Sequence, residues 1–224
     1  MKMLLRKNIF FIFWGIVLLD IIGISLNIAS VYFILKFLLM PALISAALLL
    51  APKTSGRKKI IGALFFSFLG DVFLLFEDKS ELFFILGLFY FLVTHIFYIA
   101  YFMQLSKPGA STIKKHPYII LLIGAYTAAL LYILMPGLKD MKIPVIIYAC
   151  IISAMLYFSL GVSRRVSKIT RRLFIAGACC FVISDSLLAV NKFYKQFPPA
   201  AILIMLTYCM AQYFIVKGFI RNRN

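Results

Sequence analysis

Two carboxylates stand where a carboxylate is costly. Asp71 closes the stretch Ser67-Phe68-Leu69-Gly70-Asp71. Asp185 lies within Gly177 to Lys192, read Gly-Ala-Cys-Cys-Phe-Val-Ile-Ser-Asp-Ser-Leu-Leu-Ala-Val-Asn-Lys. Both stretches belong to apolar runs long enough to cross a bilayer. An ionised side chain at membrane depth costs about 2.5–3.5 kcal/mol on insertion scales, so a chain that keeps one usually uses it. Each run opens on a basic cluster: Asp71 is 13 residues past Lys58, and Asp185 is 14 past Arg171. At about 1.5 Å of helical rise per residue the two carboxyls are expected at similar depth.

Three more ionisable groups lie inside apolar runs: Asp20, Lys36 and His95. Tyr98, Tyr208 and Gln212 are near them in depth. Helical spacing puts Gly87, Phe91, His95, Tyr98 and Phe102 on one face, Ser67 with Asp71 on another, and Tyr208 with Gln212 on a third. Any one such group can be structural, because a polar pair between spans contributes about 0.6–2 kcal/mol to helix association. Five together exceed what packing requires. Asp20 is the member expected to be structural. His116, beside Pro117 in a basic loop, is expected to be an exposed loop residue.

A pair of carboxyls in a water-poor site suits acid–base chemistry. Burial and a neighbouring carboxylate both favour the protonated form. One Asp can then serve as general acid while its partner, held by Lys36 or Tyr208, stays ionised. Lys36 has a second reading, as a ligand for a lipid phosphate. Such a pair cleaves acid-labile bonds to oxygen, and a substrate met inside a bilayer is a lipid. A catalytic zinc needs three protein ligands. His95 is the one histidine at depth, and adjacent Cys179 and Cys180 point to different faces of a helix. That leaves only His95 with Asp71 and Asp185 as a ligand set, and neither a metal nor another cofactor is expected. A serine nucleophile at Ser67 or Ser184 lacks the Gly-x-Ser-x-Gly elbow.

The elements that must position these groups follow from composition. Of 224 residues, 64% are hydrophobic and 14% charged, with mean hydropathy +1.02. That balance excludes a soluble domain and predicts an all-α, polytopic membrane bundle. The net charge of +17 sits in short loops, where it sets topology rather than binding nucleic acid. All four cysteines fall in apolar runs and read as packing residues outside any disulfide framework. Eight runs are spans: Asn8–Leu26, Ile28–Ala51, Lys58–Phe76, Glu81–Met103, Pro117–Met135, Ile143–Val162, Arg171–Val190 and Pro199–Ile220. Turn residues separate them at Ala51-Pro52-Lys53, Lys107-Pro108-Gly109, Met135-Pro136-Gly137 and Phe197-Pro198-Pro199, and the boundary near Asn27 is the weakest. The first run follows Lys2, Arg6 and Lys7 but is too long for a signal peptide, carries Asp20 and lacks an Ala-x-Ala site, so it is expected to stay as a span. No linker marks a second domain, so residues 1–224 are expected to form one integral-membrane domain. Of the 24 Lys and Arg, Lys36 lies in a span and Lys79, Lys139, Lys142, Lys192 and Lys195 on one side; the rest lie on the other. The positive-inside rule then places both termini in the cytoplasm, with a bacterial cytoplasmic membrane as the expected location.

The motifs in order resemble the lysoplasmalogenase family, the YhhN-like integral-membrane hydrolases. They are Leu35-Lys36-Phe37-Leu38-Leu39-Met40-Pro41, then Ser67 to Asp71, then Gly87 to Tyr98 ending Thr94-His95-Ile96-Phe97-Tyr98. Gly177-Ala178 through Phe181, Ser184-Asp185, Asn191-Lys192, Tyr208 and Ala211-Gln212 complete the set. One departure is Phe37, where the family usually has Pro after Lys, so the bend of the second span is open. The resemblance implies hydrolysis of the vinyl ether bond of a lysophospholipid, giving a fatty aldehyde and a glycerophospho-ethanolamine or -choline. It implies catalytic Asp71, Asp185 and His95, with Lys36, Ser67, Tyr98, Ser184, Asn191, Lys192, Tyr208 and Gln212 in support. The alternative class is a lipid or ion-coupled transporter whose Asp and Lys residues bind the coupling ion. A transporter favours paired spans broken at mid-depth, and only Pro41 approaches that. The third class is a structural membrane partner. Head-group preference and oligomeric state are not legible in the residues.

Overall fold

Apolar runs of this length satisfy their backbone in lipid as helices, and helices are what form. The structure is a computed structural model that describes residues 2–26, 28–51, 53–106, 118–163 and 166–222; for residues 2–7 and 29 it describes the backbone alone. Asn27, Pro52, the Lys107-Pro108-Gly109 turn, Lys114, Lys115, His116, Pro117, Arg164, Arg165 and the last two residues lie outside the described residues. So do the side chains of Lys2, Arg6 and Lys7.

Eight α-helices are found among the described residues: α1 Lys2–Ser25, α2 Ala29–Leu50, α3 Gly56–Leu74 and α4 Glu81–Leu105, then α5 Tyr118–Leu134, α6 Lys142–Leu160, α7 Lys168–Phe193 and α8 Ala200–Arg221. Each matches one expected run to within three residues at its ends, except that α1 begins six residues before Asn8. Seven are long and apolar enough to cross a membrane. The exception is α3, whose 19 residues include Arg57, Lys58, Lys59 and Asp71. The chain is an integral, multi-pass membrane protein.

Helix ends are set by specific groups. Ser167 caps α7: its Oγ accepts from the Thr170 amide at 3.2 Å, so the helix starts three residues before Arg171. Arg57 donates to the Leu48 carbonyl, one of the acceptors left open in the last turn of α2. Met135–Gly137 forms a 3-10 turn packed on the end of α7. A Cβ on Gly137 would fall 1.7 Å from the Phe193 carbonyl oxygen, so only glycine fits. The open question of α2 resolves simply: the helix is continuous from Ala29 to Leu50 with Pro41 inside it. Phe37 joins a ring cluster, 5.4 Å from Phe33 and 6.0 Å from Phe68.

The described residues fall into two compact units: residues 1–98 with 216–224, and residues 99–215. In the first unit, α3 and α4 meet along small residues. Added Cβ atoms would lie 2.7 Å from the Phe97 ring at Gly62, 2.8 Å from the Phe91 ring at Gly70 and 2.6 Å from Leu74 at Gly87. Lipid tails give helices no hydrophobic reason to associate, so close packing of this kind must hold them. In the second unit, Gly177 of α7 sits against Ala211 and Ile215 of α8, and Phe174 packs on Tyr101 and Phe102. The span containing α5 is the outlier, with only 6% of its residues buried. The cysteines are free thiols: Cys209 is buried, Cys179 and Cys180 are half-buried and Cys150 is exposed.

Candidate active site

In the first unit the small-residue stripe of α3 carries Ser67 and, one turn on, Asp71, both buried. Ser67 donates to Thr94 Oγ1 at 3.1 Å. Thr94 in turn reaches the Ala63 and Tyr90 carbonyls, each at 3.1 Å. Thr94 thus ties α3 to α4 beside His95. His95, Tyr98 and Phe102 are fully buried, and Gly87 and Phe91 of the expected face are buried. Thr94 was not singled out by spacing. Its signal was present, since it lies seven residues past Gly87 and three past Phe91, the stripe that faces α3.

Elsewhere in this unit Asp20 is completely buried on α1. Neither of its carboxylate oxygens has a hydrogen-bond partner among the described residues. The cation whose field reaches it is Lys36 of α2, which is half-buried.

In the second unit Asp185 lines a cavity of about 50 Å³ formed by α5, α6 and α7, room for a few waters at most. The walls are mainly Leu, Val, Ile and Ala, with a narrow polar band. Within that band the Tyr148 hydroxyl donates to Asp185 Oδ2. Tyr126 donates to Ser186 Oγ at 2.8 Å, which passes its own proton to the Val182 carbonyl at 2.6 Å. Thr127 and Ser153 hydroxyls meet at 2.7 Å. Sequence spacing identified neither Tyr148 nor Tyr126, each of which bonds to a residue on another helix.

The other expected site residues of this unit have mixed positions. Ser184 is buried and donates to the Ile204 carbonyl at 3.1 Å, tying α7 to α8. The Asn191 side-chain oxygen accepts from the Phe197 amide at 3.3 Å and shapes the turn after α7. Lys192 is exposed. Tyr208 is buried edge-on against Phe181, 5.7 Å between centroids, and Gln212 is fully buried. A carboxyl anchored by a phenol in a small, mostly apolar cavity can move a proton to or from a guest.

These features define a polytopic helical membrane protein that keeps ionisable side chains buried within its spans. The chain belongs to the YhhN family, whose model matches residues 31–219. Human Lysoplasmalogenase TMEM86A is 31% identical over 168 residues, 74% of this chain and 66% of that protein. Human Lysoplasmalogenase TMEM86B is 31% identical over 186 residues, 82% of this chain and 74% of its own. The Lysoplasmalogenase of Mycobacterium bovis is 28% identical over 186 residues, 82% of this chain and 69% of its own. The chain thus spans about two thirds to three quarters of these relatives. No solved structure matches it.

The family match begins at residue 31, after Asp20, while Lys36 lies within it. A double-mutant cycle of Asp20→Leu and Lys36→Met, followed by thermal unfolding in detergent, is expected to show coupling of about 0.5–3 kcal/mol. The reason is that either single change leaves one charge uncompensated in a low dielectric. Strictly additive losses would mean that the two side chains do not sense each other.

Proposed function

We propose that this protein is a membrane hydrolase that cleaves the vinyl ether bond of lysoplasmalogens. The supporting observation is membership of the YhhN family together with relatives named lysoplasmalogenase. The buried Asp71 and the half-buried Asp185 fit the chemistry. An acid protonates the vinyl carbon distant from oxygen and leaves an oxocarbenium ion. Water adds to the carbon of that ion and loses a proton to a base. The hemiacetal then collapses, breaking its carbon–oxygen bond to glycerol, and yields a fatty aldehyde and the free glycerol hydroxyl. In this reading Asp71 and Asp185 act as proton donor, cation stabiliser and base, with His95 orienting water and Lys36 near the phosphate or the ionised carboxyl. Ser67, Tyr98, Tyr208 and Gln212 support them. The sequence needs no redox cofactor or covalent intermediate for these steps.

The test is aldehyde release from a lysoplasmalogen by purified protein in detergent or vesicles. Aldehyde in equimolar amount with the glycerophospho product is the expected result. Intact vinyl ether after prolonged incubation, or release of a fatty acid from an ester lysophospholipid instead, would remove this reading. The reading also places both termini on the cytoplasmic side, because all but six of the 24 Lys and Arg lie there or in the loops of that side. A phosphatase reporter fused after Asn224 is expected to be silent and a fluorescent cytoplasmic reporter bright. The reverse pattern would overturn the orientation.

A further inference from the structure

Asp185 is held by one group that spacing did not identify. We propose that Tyr148 is a positioning residue for the hydrolysis, and that the cavity of α5, α6 and α7 is where Asp185 delivers its proton to the vinyl carbon as general acid. This deepens the reading above and rests on it.

The geometry carries the assignment. Tyr148 on α6 donates its hydroxyl proton to Asp185 Oδ2. A phenol has one proton to give, and here it is given to that oxygen. When the carboxyl is protonated, its acidic proton therefore belongs on Oδ1, with Oδ2 as the accepting carbonyl oxygen. When the carboxyl has given the proton up, the same bond stabilises the carboxylate that results. Tyr148 thus sets both the rotamer of Asp185 and the oxygen that carries the proton, through the whole cycle. Proton transfer to carbon demands such order, because a carbon base offers no lone pair to guide the donor. Misplacing a catalytic group by about 1 Å can cost about 100-fold.

The surroundings agree. Apolar side chains such as Leu130, Leu134 and Val145 form most of the cavity wall, which fits a hydrocarbon chain next to the reacting carbon. The space of about 50 Å³ takes a few waters or the vinyl carbons, not a head group. The remaining polar groups of the wall, Tyr126, Thr127, Ser153 and Ser186, are satisfied among themselves or by backbone carbonyls. Asp185 and Tyr148 form the carboxyl–phenol pair of this wall.

The experiment uses Tyr148→Phe, which keeps the ring and removes the hydroxyl. With a lysoplasmalogen, kcat is expected to fall about 10- to 100-fold with KM within about threefold, and the same change in an Asp185→Asn background is expected to cost nothing further. A second readout needs no turnover. Dicyclohexylcarbodiimide adds to protonated carboxyls in apolar surroundings, and mass spectrometry maps the adduct. Labelling of Asp185 is expected to rise several-fold in Tyr148→Phe, with Asp71 as internal reference. Near wild-type kcat, losses that add in the double variant, or unchanged labelling would each overturn the proposal. So would failure of Tyr148→Phe to fold, because a hydroxyl that fixes only one rotamer is not needed to assemble the helices. If the wild-type protein releases no aldehyde, the hydrolase reading falls with its catalytic role for Tyr148. The labelling result then still decides whether Tyr148 controls the Asp185 carboxyl.

Discussion

Asp185→Asn protein is expected to release aldehyde from a lysoplasmalogen about 10²–10⁴ times more slowly than wild type, the usual contribution of a general acid or base. Asn keeps the size of the side chain and can still accept from the Tyr148 hydroxyl through its carbonyl oxygen. The fold should therefore survive, and what is lost is the exchangeable proton. Asp71→Asn is expected to lose activity on the same scale, from a group buried on the α3 stripe. Both variants should elute as monodisperse protein and melt within a few degrees of wild type. A variant with near wild-type turnover would take its residue out of the mechanism. A variant that lost activity together with its fold would show a structural carboxyl instead.

Gly177→Leu is expected to cause the largest loss of stability. A Cβ there would stand 2.6 Å from Ile215 Cγ1, 3.0 Å from the Ala211 carbonyl oxygen and 3.2 Å from the Ile215 amide nitrogen. The Ile215 side chain can rotate away, but the two backbone atoms cannot move unless α8 shifts. Overpacking of this kind costs about 1–3 kcal/mol, and more where backbone is pushed. The matched comparison is Gly124→Leu on α5, where a Cβ meets nothing within 4 Å. Replacing Gly within a helix favours the helix by up to about 1 kcal/mol, so Gly124→Leu should melt at or above wild type. Equal melting temperatures for the two variants would refute close α7–α8 packing as the reason for Gly177.

How much of this was legible in the residues depends on how far each signal reaches along the chain. All eight helices were legible, because an apolar run of about 20 residues has one solution in lipid. The ends were less so. Ser167 capping its own third residue moved the start of α7 ahead of the basic pair, and a cap is a local hydrogen bond that hydropathy does not register. The Ser67 and Asp71 face was legible because both residues sit on one helix. Tyr148 was not, because its partner is 37 residues away on another helix, and a tyrosine in an apolar run reads as an interface aromatic. A depth argument would have found it. Tyr148 lies six residues into α6 and Asp185 eight residues before the end of α7, so in an antiparallel pair their depths agree to within about 3 Å.

The exceptional composition of α3 has a consequence for the lipid. Past its basic start the helix has 15 residues, 60–74, with Asp71 as their one charged side chain, a length of about 22 Å. An ordinary hydrocarbon core is about 30 Å thick. Lys58 and Lys59 can reach part of the way with their alkyl stems, and local thinning of the bilayer must cover the rest, at a fraction of a kcal/mol for each ångström. The helix that bears Asp71 therefore makes the protein sensitive to membrane thickness. Long-chain or sterol-rich bilayers work against it, and thin, fluid ones accommodate it.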